Sequence, residues 1–174
     1  AILDLVVAVS GSAGVSVLLG AGDGTFALFG TYAAGTNPVA LALGNFDSDP
    51  DGYLDLAVAN QSVGQVNILI GNGDGSFGAP TPVPAPFPAP ADIAAAKLDG
   101  DNYLDLAVAN AAGNDVTVLL GDGTGGFSAL PDHPTGTAPG SLVVSDLDKD
   151  GDLDLAVANA GSGNVSILLG NGDG

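Results

Sequence analysis

Two stretches of the sequence set aspartates at alternate positions around a glycine. One reads Asp47-Ser-Asp49-Pro-Asp51-Gly52-Tyr53-Leu54-Asp55, the other Asp146-Leu-Asp148-Lys-Asp150-Gly151-Asp152-Leu153-Asp154. Both follow D-x-D-x-D-G-x-x-D. Carboxylates at the first, third and fifth positions converge when the chain curls, and glycine at the sixth permits the sharp turn. The seventh residue can add a backbone carbonyl, and the ninth closes the shell. Oxygen-only ligation of this kind suits Ca²⁺, whereas Mg²⁺ keeps more of its water. Four like charges in one loop repel strongly without a cation. Taken singly, such a loop also reads as a plain Asx turn. Two copies at one repeat position favour metal.

A third copy is degraded. In Lys97-Leu-Asp99-Gly-Asp101-Asn102-Tyr103-Leu-Asp105, lysine holds the first position and asparagine replaces the glycine. Its ammonium either substitutes for the cation or swings outward and leaves a weaker site. Asp4 has the placement of one more closing residue. An EF-hand is excluded, because its twelfth-position acid would fall on Val58 and Val157. The Gly20–Gly24, Gly71–Gly75, Gly121–Gly125 and Gly170–Gly174 segments read as hairpin turns rather than metal loops.

Composition narrows the function classes. In 174 residues there are two lysines, no arginine and twenty acidic residues, all of them aspartate, for a net charge of −18. Nothing here neutralises phosphates, so nucleic acid is excluded as a partner. No cysteine is present, which removes disulfides, thiolate metal sites and cysteine nucleophiles. The apolar runs are short and broken by Gly, Ser or Asp, so no membrane span is expected. Ala1 opens inside a repeat without a signal-peptide pattern, and we read the chain as an excerpt or processed product of a longer protein. The single histidine, His133 in Pro131-Asp-His-Pro134, reads as a solvated turn residue. No Ser-His-Asp arrangement, glutamate acid or arginine clamp is available, so the chain is not expected to be an enzyme.

The elements that position the aspartates repeat. Leu-Asp-Leu-Ala-Val-Ala-Asn occurs at Leu54–Asn60, Leu104–Asn110 and Leu153–Asn159, with a relative at Leu3–Val9. Its aspartates are spaced by 51, 50 and 49 residues. A second apolar run follows at Val15–Leu19, Val66–Ile70, Val116–Leu120 and Val165–Leu169, then a glycine turn, then Phe26, Phe77 or Phe127. We read these phenylalanines as core or inter-blade residues. Short Val/Ile/Leu runs bounded by Gly, Asn and Asp are strand chemistry. The predicted fold is all-β with almost no helix, in four-stranded antiparallel repeats of about 50 residues, as in β-propeller blades. The innermost strands are expected at 39–46, 92–97 and 141–145. The residues form one repeat domain, 1–174, with approximate blades at 1–35 (partial), 36–90, 91–138 and 139–174 (partial). Proline at every second position from Pro80 to Pro90 leaves N–H donors on one side of an extended chain, which suits an outermost or blade-connecting strand, with a polyproline linker as the alternative.

Blocks such as Asp146–Asn159 followed by Asn164–Gly174 resemble the FG-GAP/VCBS repeats of integrin-α-like β-propellers, over essentially the whole chain. The resemblance implies a seven- or eight-bladed propeller, Ca²⁺ in the loops between the first and second strands, and an extracellular or cell-surface setting. Carried over, one ligand set is Asp47, Asp49, Asp51, Tyr53 (carbonyl) and Asp55. Another is Asp146, Asp148, Asp150, Asp152 (carbonyl) and Asp154. Asp99, Asp101, Tyr103 and Asp105 form an incomplete third, in which Lys97 departs from the pattern. The expected role is a non-catalytic calcium-binding module acting in adhesion or as a structural surface or fibre component. The alternatives are a carbohydrate-binding, lectin-like propeller and the propeller portion of a secreted hydrolase. Fourteen expected strands are too few to close a usual ring, so an incomplete ring or open array is expected, completed by further blades or by self-association. Glycans and surface proteins are the other candidate partners. Asn60-Gln-Ser62 and Asn164-Val-Ser166 are glycosylation sequons.

Overall fold

The computed structural model describes residues 2–50 and 52–174. Four antiparallel sheets follow one another along the chain. The first contains β1 (Leu5–Ala8), β2 (Gly14–Gly20) and β3 (Phe26–Ala33). The second contains β4 (Pro38–Gly44), β5 (Asp55–Asn60), β6 (Gln65–Leu69) and β7 (Thr81–Pro82). The third contains β8 (Pro90–Ala96), β9 (Asp105–Asn110), β10 (Asp115–Gly121), β11 (Phe127–Ala129) and β12 (His133–Pro134). The fourth contains β13 (Pro139–Ser145), β14 (Asp154–Asn159) and β15 (Asn164–Leu168). This is the expected all-β architecture of propeller-blade repeats, set in an open array. The strand count rises from fourteen to fifteen because the outer strand of the third sheet is interrupted: β11 and β12 both pair with β10. A single 3-10 turn, Gln61–Val63, is the only helix among the described residues.

Each innermost strand begins on a proline (Pro38, Pro90, Pro139) and is bulged directly after it. Proline is tolerated there because the first residue of a strand has no ladder donor to give up. The Pro80–Pro90 segment is an edge strand only in part. Thr81–Pro82 pair with β6, and the N–H groups of Val83 and Phe87 donate to the carbonyls of Val66 and Gly64. The N–H of Ala85 turns back onto Val83, so the regular extended run breaks there, and Pro90 already belongs to the next sheet. His133 is likewise not in a free turn: it is half-buried in β12, opposite Val116.

The core lies between sheets rather than within them. One face of the second sheet (Ala57, Ala59, Val66, Ile68) packs on Ile93, Leu106, Val108 and Leu119 of the third. The same arrangement joins the third to the fourth (Ala107, Ala109, Val116 and Val118 on Leu142, Leu155 and Val157) and the first to the second (Val15 and Ala34 on Leu56, Val58 and Leu69). The contacts of the second sheet with the third and of the third with the fourth set alternating Ala of one strand (Ala57 and Ala59, Ala107 and Ala109) against Leu and Val of the next. In the contact of the first sheet with the second, Val6 stands where the first Ala would be. That is why Leu-Asp-Leu-Ala-Val-Ala recurs: both faces of the strand are used, one bulky and one small. Burying each such Leu or Val contributes roughly 1.5–3 kcal/mol, and one repeat alone has nowhere to do it. Phe77 and Phe127 seal two of these contacts edge-on against Tyr32 and Phe46 of the preceding sheet. Phe26, at the start of the array, is exposed.

Candidate metal centres

The aspartate that opens the second strand of each repeat is a clamp. Its Oδ1 accepts the N–H of the glycine sixteen residues later: Gly20 to Asp4 (2.9 Å), Gly71 to Asp55 (2.9 Å), Gly121 to Asp105 (2.9 Å) and Gly170 to Asp154 (2.8 Å). In three sheets Oδ2 also accepts an N–H from the preceding loop, from Phe46 (2.6 Å), Leu98 (2.6 Å) or Leu147 (2.7 Å). One carboxylate thus ties the acidic loop to the glycine turn beyond the third strand. The glycine is required: a Cβ on Gly71 would lie 2.2 Å from the Leu54 carbonyl oxygen, and the same holds at Gly121 with Leu104.

Asp55, Asp105 and Asp154 are buried. Burial raises the pKa of Asp55 and of Asp105, outweighing their N–H bonds, and nearby loop aspartates add to the rise. For Asp154 the N–H bonds from Leu147 and Gly170 prevail and hold the pKa below the ordinary value. The fourth sheet has one covered face where the second and third have two.

The loops themselves differ in length. The ladder closes at Gly44–Asp55 in the second sheet, at Ala96–Asp105 in the third and at Ser145–Asp154 in the fourth. The second loop therefore carries two extra residues. Counting back from the closing aspartate sets Asp47 level with Asp146, but the structure sets it level with Asp148. The fourth residue of each loop is left-handed, Ser48 (φ 51°), Gly100 (φ 75°) or Lys149 (φ 68°), and Gly52 (φ 70°) and Gly151 (φ 105°) add a second such residue to the second and fourth loops. Asp47, Asp99 and Asp148 each use Oδ1 to accept the N–H two residues on, at 3.2, 3.0 and 3.1 Å. A Cβ on Gly125 would touch Asp47, and one on Gly174 would touch Asp99. Counted from the ladder end at Gly44, Asn45 takes the first position. Asn45 was missed in the sequence because the nine-residue spacing looked complete without it. The apolar second position shared by Phe46, Leu98 and Leu147 would have revealed it.

The fourth loop brings the donors together. One carboxylate oxygen each from Asp146, Asp148 and Asp154 lie within 4.8 Å of one another. Asp146 accepts from the backbone of Lys149 (2.6 Å) and Gly151 (3.3 Å). The pKa of Asp148 is raised, first by desolvation and then by the charges of Asp150, Asp154 and Asp146. Asp150 lies outside that trio and accepts the N–H of Asp152 at 2.9 Å. The Asp152 side chain lies against Gly172, as the Tyr53 and Tyr103 rings lie against Gly73 and Gly123. In the second loop, Asp49 accepts from Gly52 N–H (2.9 Å), and the Asn45 amide donates to the Asp49 carbonyl (3.3 Å). Asn45 Oδ1 is buried with no partner. Asp51 lies outside the described residues. In the third loop Lys97 is exposed, and Asp101 accepts from Tyr103 N–H at 2.6 Å.

The glycine turns are turns. Asp23, Asp74 and Asp122 each accept both the N–H and the hydroxyl of the residue two positions on (Thr25, Ser76, Thr124), and the hydroxyl bond is the main cause of their lowered pKa. Of the sequon residues, Asn60 is fully buried with its amide on the carbonyls of Ala34 and Val58, so the folded chain does not present it; Asn164 is exposed.

The FG-GAP-like repeat family matches this chain twice, over residues 47–108 and 97–157. Among solved structures, the fold is similar to part of the Photorhabdus luminescens Tc holotoxin pore, with a TM-score of 0.52 and 21% identity over 95% of this chain and 8% of that one. It is also similar to a protein from Lactobacillus plantarum, with a TM-score of 0.54 and 18% identity over 93% of this chain and 50% of the other. The chain spans half or less of each, and at these identities the likeness concerns the fold alone. No curated protein matches it in sequence.

Proposed function

This chain belongs to the FG-GAP-like repeat family, and from that premise we propose that it is a non-catalytic repeat module whose acidic loops hold Ca²⁺. The observation that carries the reading is the convergence of Asp146, Asp148 and Asp154 in a loop where the charges of its neighbours help raise the pKa of Asp148. The donor set fits a hard cation: every candidate is an oxygen, and the second loop adds an orphaned amide oxygen at Asn45. Asp146, Asp148, Asp150 and Asp154 would hold one ion, with the Asp152 carbonyl. Asn45, Asp47, Asp49 and Asp55 would hold another, with the Tyr53 carbonyl. The ion supplies charge neutralisation. The chain's own groups do the rest, since the closing aspartates already fix each loop to its neighbouring turn.

The setting we assign is extracellular or cell-surface, and the role is adhesion or structure, with further blades of this kind as partners. A non-catalytic role is supported by the surroundings of His133, which borders an apolar crevice with Leu98, Val118, Leu153 and Leu155. A glycan-binding reading draws on Tyr53 and Tyr103, both 40% exposed on the loop edge. Thermal melts in millimolar calcium and in EDTA test the metal. At a hundred times its Kd, an ion bound only to the native state adds about 2.7 kcal/mol, which raises Tm by roughly 5–10 °C for a chain of this size. Superimposable melts would remove calcium from the proposal.

A further inference from the structure

Phe46 stands between two donors of the second loop, Asn45 and Asp47, but its ring is buried in the contact with the third sheet. The ring meets Phe127 edge-on, with centroids 5.6 Å apart and planes at 73°. The backbone is engaged as well. Gly125, in the third sheet's glycine turn, takes a left-handed conformation (φ 81°) and donates its N–H to the Phe46 carbonyl at 3.0 Å. A Cβ on Gly125 would lie 3.9 Å from the Asp47 Cβ, and one on Gly44, at the ladder end, would collide with the Leu104 side chain. The third sheet therefore touches the second loop at Gly44, Phe46 and Asp47.

One peptide unit carries this contact to the closing aspartate. The carbonyl of Phe46 and the N–H of Asp47 belong to the same peptide. The carbonyl accepts from Gly125, and the N–H donates to Asp55 Oδ2 at 3.3 Å, beside the 2.6 Å bond from the Phe46 N–H. Hydrogen bonds in series strengthen one another, because each polarises the group that makes the next. Asp55 Oδ1 meanwhile holds Gly71 of its own sheet. This one carboxylate is thus tied to the turn of its own sheet directly, and to the turn of the next through the Phe46–Asp47 peptide. Phe127 has no place in the core shared by the third and fourth sheets, so the fourth loop lies outside this linkage.

We propose that Gly125 and Phe127 are positioning residues of the second ion site. The third sheet holds Phe46 in place, and Phe46 sets the donors on either side of it, Asn45 and Asp47, around the ion. The buried, unpartnered Asn45 Oδ1 is the oxygen that gains most from being held, since it has no other group to face. Linkage then works in both directions: the ion tightens the seat of the third sheet on the loop by the same factor by which that seat tightens the ion. This rests on the calcium reading of the second loop and adds that its site spans two sheets.

Calcium titration calorimetry on two variants of the whole chain reads each site alone: Asp146→Lys leaves the second site and Asp49→Ala leaves the fourth. Phe127→Leu is then added to each, which keeps an apolar side chain and removes the edge-on ring contact. It should weaken calcium by about fivefold or more at the second site, the low end of coupling between linked sites, and by less than about twofold at the fourth. Hydrogen exchange on the unaltered chain supplies a second reading that needs no variant to fold. Calcium should slow the Gly125 amide, whose partner is on the loop, more than the Gly126 amide, which Asp122 of its own turn holds at 3.0 Å. Unchanged affinity at the second site, equal losses at both sites, or no greater slowing at Gly125 than at Gly126 overturns the inference and leaves the calcium reading standing. An Asp146→Lys chain that binds no calcium overturns both.

Discussion

The loops of the third and fourth sheets share most of their backbone and differ at the first residue and at the sixth, where Gly151 is left-handed (φ 105°) and Asn102 is not. In both, eight residues separate the ladder from the closing aspartate. Both use the second residue's N–H on that aspartate, the same Asx turn at the third residue, and a left-handed fourth residue. The first residue separates them: Asp146 adds an oxygen to a three-carboxylate cluster, whereas Lys97 is exposed. The clamp and the Asx turn are common to both loops, and the first residue sets how many carboxylates the loop brings together.

The largest effect expected is from breaking the clamp. Asp105→Ala strips the acceptor from the N–H groups of both Leu98 and Gly121, in a sheet covered on both faces. Each buried donor left unpaired costs about 1–3 kcal/mol, so the urea midpoint should fall by an amount equivalent to roughly 2–5 kcal/mol. Asp154→Ala removes the same two bonds in a sheet covered on one side and should cost less in EDTA. A loss below about 1 kcal/mol at Asp105 would mean that the loop is held by something other than this carboxylate.

Much of this was legible in the chain itself. Leu-Asp-Leu-Ala-Val-Ala-Asn announces a strand with two unlike buried faces, and the recurring closing aspartate fixes where each acidic loop ends. Where the loops begin was less visible. The second loop offers an uninterrupted D-x-D-x-D-G from Asp47, and only the end of the ladder at Gly44 shows that the loop is two residues longer and that Asn45 is its first residue. The alternating prolines implied a longer edge strand than forms, because donors on one side do not by themselves hold Pro84–Phe87 extended. Exchanging Lys97 and Asp146 measures the donor set on the clamp and Asx turn that both loops share. Lys97→Asp should raise calcium stoichiometry by one in titration calorimetry, and Asp146→Lys should lower it by one. Unchanged stoichiometry in both would place the deciding group elsewhere.

The smallest effect sharpens the same contrast through protons. In EDTA the ionised forms of Asp55 and Asp105 are disfavoured by burial, so both carry a folded-state pKa above the ordinary 3.8. A group raised in this way penalises the native state at neutral pH. The penalty is relieved as pH falls through the folded value, and the relief is complete near 3.8. Asp154 works in the opposite sense: its stabilising N–H bonds count above 3.8 and are lost as pH falls through its lowered value. The metal-free Tm should therefore climb on mild acidification and fall again at lower pH. Asp105→Asn should flatten the climb, and Asp154→Asn the fall. In saturating calcium the Asp55 share of the climb should disappear, because protons then compete with the ion there, while the Asp105 share remains. A metal-free Tm that only falls from pH 7 downward would show that burial does not dominate at Asp105, and the two loops would then be equivalent in their electrostatics as well as in most of their backbone.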